Sequence, residues 1–216
     1  MCAIVAIDVD DTIYSFRDAA LEELGGMAID NPKLEKALYA TWDQWRTPHD
    51  LCGHDEWMEV IRRVHDDDMI LRQTPFRGAV ETCQALMEHG HHLIYISNRS
   101  VESKDATYLW LTNHGFLSED WFRSELICTS GDKQPYLRDC QFLIDDRPKT
   151  CIEFVYDCQW QRNELAKGER KVFMKSYPYN QNLTDVPNLY LAPTWHGLSK
   201  YLVSKGVLSS HPIPTK

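Results

Sequence analysis

Apolar residues along this chain fall into two rhythms. Short unbroken runs, Cys2-Ala3-Ile4-Val5-Ala6-Ile7, Leu93-Ile94-Tyr95-Ile96 and Phe142-Leu143-Ile144, each stop abruptly at polar residues. Runs of that length and composition predict strands buried on both faces. The pattern places strands at about 3–9, 92–97, 125–129, 141–145 and 170–174. From Gly25-Gly26 to about Gln73 such runs vanish and helical spacing takes over. Leu34, Leu38, Trp42 and Trp45 step by four, four and three, and Trp57, Val60, Ile61 and Val64 mark the face of a second helix. Thr47-Pro48-His49-Asp50 and Cys52-Gly53 supply a turn between them.

Helices are also expected from Tyr14 to Leu24, where Gly25-Gly26 ends the pattern, and at about 78–89, 101–114 and 194–204. Ala106, Leu109, Trp110 and Asn113 mark one face of the third of these. Strands alternating with helices predict an α/β fold, a doubly wound (Rossmann-like) parallel sheet, with a small helical cap inserted after the first strand. The core is expected at 1–16 and 75–205, the cap at 17–74, and a Pro-containing, loose tail at 206–216.

The strand ends carry the chemistry. Asp8-Val9-Asp10-Asp11-Thr12 follows the first run, and side chains two apart on a strand share a side. Two carboxylates that close repel unless a cation lies between them or one keeps a proton. The second run ends in Ser97-Asn98-Arg99, Gly131-Asp132-Lys133 lies ahead of the third, and that one ends in Asp145-Asp146-Arg147-Pro148. In a doubly wound sheet the ligand crevice lies beyond these carboxyl ends.

Aspartate pair, hydroxyl, lysine and aspartate pair, in that order, resemble the four motifs of the haloacid dehalogenase (HAD) superfamily of phosphatases. The resemblance implies Asp8 as nucleophile and magnesium ligand. It implies Asp10 as general acid and then general base, with its backbone carbonyl on the metal. Asp11 stands where many relatives have glycine. Ser97 and Lys133 would hold the phosphoryl group. Asp146 would be the direct metal ligand, with Asp145 acting through water or its neighbours. Mg2+ suits such an all-oxygen set. Arg147 is expected to anchor its loop through an ion pair.

Pro75-x-x-Gly78-Ala79, Asp132-Lys133, the Phe142–Pro148 string and Tyr177-Pro178-Tyr179-Asn180 resemble the 5'(3')-deoxyribonucleotidase family, which includes bacterial and phage members. That implies a deoxynucleoside monophosphate as substrate. Where eukaryotic members show Thr-Ser-Pro, this chain has Ser97-Asn98-Arg99. Asn98 and Arg99 therefore become candidate substrate contacts, with Arg99 reaching phosphate or sugar or else pairing with a surface carboxylate. Trp42, Trp45 and Phe76 are candidates for stacking the base, against ordinary packing within the cap. A polynucleotide 3'-phosphatase is the alternative, with Arg62, Arg63, Arg72 and Arg77 lining a groove. A small-metabolite phosphatase and a catalytically silent nucleotide-binding protein are two further readings.

Bulk properties change this picture little. The 216 residues, 43% apolar and 25% charged, suit one globular core with an insert. No run is long enough to span a membrane, and the first apolar run reads as a strand, not a signal peptide. A net charge of −9 disfavours nonspecific binding to a nucleic-acid backbone. Seven scattered cysteines suggest reduced thiols and a cytoplasmic location. His49, Cys52 and His54 invite a zinc reading but lack a second ligand pair, which favours an ordinary loop.

Overall fold

Each buried run becomes a strand of one sheet. The computed structural model describes residues 2–28, 32–38, 40, 47–118, 123–157 and 170–209. Its strands are β1 Ile4–Asp8, β2 His92–Ser97, β3 Ser124–Cys128, β4 Phe142–Asp145, β5 Lys171–Lys175 and β6 Leu189–Ala192. All pair in parallel, in the order β3-β2-β1-β4-β5-β6. Alternation assigns successive β1 residues to opposite apolar layers. Val5 and Ile7 join the layer under α6 Ala79–Glu88, α7 Lys104–Asn113 and α10 Trp195–Ser204. Ala6 joins the layer under α8 Gln134–Leu137 and α9 Pro148–Val155. Helices thus cover both faces, which is why β1 and β4 stay apolar until their closing aspartates.

The insertion leaves and re-enters the core at one place. Tyr14 bridges to Pro75, and the Phe76 amide donates to the Ile13 carbonyl at 2.8 Å. Between them lie α1 Phe16–Ala28, α2 Pro32–Leu38, α3 Thr47–Cys52, α4 His54–Val64 and α5 Asp67–Arg72. Leu34 is buried, as are Trp57, Val60 and Val64, with Ile61 packed against them. Trp42 and Trp45 lie outside the described residues.

Several local expectations need correction. Helix α1 runs through Gly25-Gly26 to Ala28; two glycines cost roughly 2 kcal/mol of propensity, which a buried face outweighs. Thr47–Cys52 forms a helix rather than a turn, and the chain reverses at Gly53, whose φ of 97° suits glycine. Leu109 is 47% exposed, and Thr107 and Leu111 face the core instead. Strand β6 and helix α9 were not expected. The first is four residues long and bounded by Pro187 and Pro193; the second starts directly after the acidic motif. Val207 and Leu208 are buried, and the His91 ring lies 2.8 Å from the Val207 carbonyl oxygen.

Candidate active site

Beyond β1 the chain turns one way to β2 and β3, then crosses to β4, β5 and β6. The β1 end is therefore the topological switch point, where a crevice forms between diverging connections. Ile7 pairs with Tyr95 and with Ile144, so Asp8 and Asp145 end neighbouring strands at one level. The turn after Asp8 is held from two sides. Tyr177 donates its hydroxyl to the Asp11 carbonyl at 2.6 Å, and the Trp195 indole N–H donates to the Thr12 carbonyl at 2.8 Å. Asp11 takes φ 57°, a left-handed conformation that Asp tolerates better than most residues.

An acidic cluster fills one side of the crevice. Asp8, Asp145 and Asp146 are all buried, and one carboxylate oxygen from each lies within 4.8 Å of the others. Lys133, also buried, donates to Asp8 Oδ1 and lies 3.4 Å from Asp145 Oδ2. The Arg147 amide donates to Asp145 Oδ1 at 2.7 Å. Thr12 Oγ1 bridges Asp8 Oδ2 at 3.3 Å and Asp146 Oδ1 at 3.2 Å, and the Tyr179 hydroxyl donates to Asp146 Oδ2.

Three carboxylates against one ammonium leave excess buried charge. Burial first, then the charges of Asp145 and Asp10, raise Asp8 to about 6 although Lys133 opposes the rise. Burial and the charges of Asp145, Asp8 and Asp11 push Asp146 well above the usual carboxylate range. Burial disfavours the Lys133 cation, but Asp145 and Asp8 outweigh it and the pKa rises.

Asp10 has the opposite environment. Its Oδ1 accepts from the Tyr14 hydroxyl at 2.6 Å and from Arg99 Nε and Nη2 at 3.2 and 3.0 Å, and its Oδ2 accepts from Ser97 Oγ at 3.0 Å. His65 Nε2 stands 3.5 Å from Oδ1. Burial alone would raise Asp10; Arg99, His65 and the hydrogen bonds hold it well below the usual range. The two aspartates of the first motif thus differ, with Asp10 held ionised and Asp8 protonating more readily.

The remaining candidates are distributed around this centre. Arg99 is buried, and its Nη1 donates to Thr107 Oγ1 at 2.8 Å; its carboxylate partner is Asp10, not a surface acid. Asn98 braces two loops, donating to the Thr129 and Gly131 carbonyls at 3.2 and 2.8 Å and accepting from Arg147 Nη1 at 3.1 Å. Phe76 carries the Lys175 ammonium 3.9 Å from its ring centroid, and that ammonium is 2.9 Å from the Tyr177 hydroxyl. Tyr177 stacks on Tyr179 at 5.4 Å. Away from the crevice, the Cys52 thiol donates to the Pro48 carbonyl at 2.9 Å, and the His49 and His54 rings meet edge to face. Among the described residues the acidic triple is the group with metal-binding geometry.

Comparisons with known proteins accord with this architecture. No protein-family model matches the chain. A candidate nucleotidase of Bacillus cereus is 26% identical over 190 residues, covering 84% of this chain and 90% of its own. Another from Oceanobacillus iheyensis is 22% identical over 182 residues, covering 81% and 87%. A HAD family hydrolase from Deinococcus radiodurans R1, solved with bound phosphate and sodium, superposes with a TM-score of 0.57 at 15% identity, over 96% of this chain and 98% of that one. A haloacid dehalogenase-like hydrolase of Streptococcus pneumoniae gives 0.56 at 10% identity, over 93% and 98%. The chain has the haloacid dehalogenase fold. Within this HAD fold, the four polar motifs meet at one crevice.

Sequence reasoning missed Thr12, Tyr14, His65 and Tyr179 as parts of this crevice. Thr12 and Tyr14 adjoin the first motif and were findable by proximity. Tyr179 lay in a string noted only as a family signature. His65 had no local signal.

Asp11 gives a first test. Its Oδ1 accepts from the Arg17 amide at 3.0 Å, while its buried Oδ2 has no hydrogen-bond partner. Burial, opposed by Arg17 and reinforced by Asp10, raises it to about 7. A carboxyl raised on folding stabilises only below its unfolded pKa, and stability falls as pH climbs from about 4 to the folded value. Asn keeps the acceptor and tolerates positive φ. Asp11→Asn is expected to raise the melting temperature of chelator-treated protein at pH 8, by an increment that shrinks toward pH 4. Thermal melts across that range check it.

Proposed function

We propose that this chain is a magnesium-dependent phosphatase that hydrolyses phosphate monoesters through an aspartyl-phosphate, acting on deoxynucleoside monophosphates. The observation that carries the reading is the buried Asp8–Lys133 pair facing Asp145 and Asp146 at the switch point.

Three carboxylates and Thr12 offer only hard oxygen donors, and their negative charge exceeds the one lysine. Both features fit Mg2+. Asp8, the Asp10 carbonyl and Asp146 would hold it. Asp146 is the better direct ligand, because its oxygens meet only hydroxyls, whereas those of Asp145 meet Lys133 and the Arg147 amide. When bound, the ion supplies charge neutralisation for the phosphoryl oxygens.

The chain's own groups divide the rest of the work. Asp8 Oδ attacks phosphorus, the P–O bond to the leaving group breaks, and an acyl phosphate remains. Lys133 and the Ser97 hydroxyl hold phosphoryl oxygens. Asp10 gives a proton to the leaving alkoxide, then takes one from the water that attacks the phosphoenzyme. In the arrangement described, Asp10 is ionised and suited to the second of these roles. Phosphoryl oxygens that compete for the Ser97 and Arg99 donors would raise its proton affinity and fit it for the first.

Support for a nucleotide substrate comes from the names of the two relatives and from the Phe76, Tyr177 and Tyr179 rings grouped with Lys175 near Asp11. Trp42 and Trp45 remain candidates for the base slot. The six cysteines described are free, which supports a reducing, cytoplasmic setting. No described helix is long and apolar enough to cross a membrane.

Phosphate release with Mg2+ from deoxynucleotides, ribonucleotides, a sugar phosphate and a 3'-phosphorylated oligonucleotide tests the substrate. Deoxynucleotides are expected to show the highest kcat/KM. Preference for the oligonucleotide would select the end-repair reading, and preference for the sugar phosphate the metabolite reading. No turnover of any would leave the binding-protein reading.

A further inference from the structure

The cap places one polar atom against Asp10. His65 follows the last turn of α4, and its Nε2 stands 3.5 Å from Asp10 Oδ1, buried and without a hydrogen-bond partner. Asp10 draws its hydrogen bonds from other groups in this arrangement. Tyr14 and two Arg99 nitrogens already serve Oδ1, and Ser97 serves Oδ2. Leaving a buried ring nitrogen unpaired is costly unless another state uses it.

His65 is also held at its ring and at its backbone. Its ring lies 5.6 Å from that of Phe16, at the start of α1. Its backbone carbonyl accepts from Ser103 Oγ at 3.0 Å, and Ser103 sits just ahead of α7 in the core. His65 therefore reports where the cap sits relative to the core, and it does so at Asp10.

We propose that His65 is a positioning residue, through which the seated cap fixes Asp10 against the leaving-group oxygen. The inference rests on the reading of Asp10 as acid–base group. When a phosphoryl group draws away Ser97 and Arg99, the His65 nitrogen remains to hold the Asp10 carboxyl in line. Proton delivery is then efficient only with the cap in place, when water is also excluded.

Leaving-group dependence tests this, because it separates proton delivery from binding and folding. p-Nitrophenyl phosphate expels a leaving group that needs no proton, whereas an alkyl ester such as a deoxynucleoside 5'-monophosphate needs one. The full chain with Mg2+ is compared with His65→Ala and His65→Gln on p-nitrophenyl phosphate and on the fastest alkyl ester of the panel above. His65→Ala is expected to lose roughly 10- to 100-fold in the single-turnover rate of leaving-group release from the saturating alkyl ester, the scale of a misplaced catalytic group; this rate leaves out the hydrolysis of the phosphoenzyme, in which Asp10 serves both esters alike. The loss in that rate on p-nitrophenyl phosphate should stay under about 3-fold, with the ester concentration that half-saturates it nearly unchanged for both. His65→Gln, which keeps an amide nitrogen near the Nε2 position, should recover much of the difference.

Equal losses on both esters, no loss on either, or a Gln variant no better than Ala would overturn the proposal. A parent chain that hydrolyses neither ester would instead refute the phosphatase reading, and the proposal with it.

Discussion

Asp8→Asn is expected to reduce phosphate release from every ester by on the order of 10⁴-fold or more, the scale on which enzymes lose turnover when the nucleophile is removed. Asn has the shape of Asp but cannot attack phosphorus, so the pocket survives and the chemistry stops. The fold should survive as well. Asp8 is buried and raised to about 6, so its charge is a burden to the metal-free protein at pH 8. A neutral amide removes that burden while Lys133 keeps Asp145 as a partner. Melting at or above the parent temperature, together with lost turnover, separates a missing nucleophile from misfolding. Residual activity within about 10-fold of the parent would mean that the nucleophile lies elsewhere.

Removing the metal should be equally decisive. A chelator is expected to abolish turnover and added Mg2+ to restore it, because Asp8, Asp145 and Asp146 outnumber the single lysine facing them. Binding should also show in stability. At a free concentration about 100 times Kd a ligand adds about 2.7 kcal/mol. In a chain of this size that is a rise of roughly 5–10 °C in the midpoint. Asp146→Asn should remove most of that rise, since Asp146 has no cation among its hydrogen-bond partners and gains most from a bound one. An unchanged midpoint with Mg2+, in parent and variant alike, would contradict the metal assignment.

Much of this site was legible in the sequence because its residues stand where buried strands stop. An apolar run that ends in Asp8, Ser97 or Asp145 fixes both the strand and the edge its polar end faces, and parallel pairing brings these ends together. Lys133 was legible only through the order of motifs, for a lysine after Gly-Asp on a loop carries no local signal. Arg99 could be singled out but its partner could not: burial against Asp10 depends on β1 and β2 being neighbours, not on spacing along the chain. His65 was invisible for the same reason in stronger form. It lies 55 residues beyond Asp10, and only the cap's return at Pro75 puts it beside that carboxylate. Gly25-Gly26 misled because glycine propensity is a weak term beside the packing of a helix face.

The central claim is that Asp8 carries the phosphoryl group, and trapping that intermediate tests it most directly. The enzyme is quenched during turnover and treated with borohydride, which reduces an acyl phosphate to the alcohol. Peptide mass analysis should then find homoserine at position 8, and none when substrate or Mg2+ is omitted. Rapid turnover with position 8 unmodified, or with the reduced residue at Asp10, Asp145 or Asp146, would contradict the account.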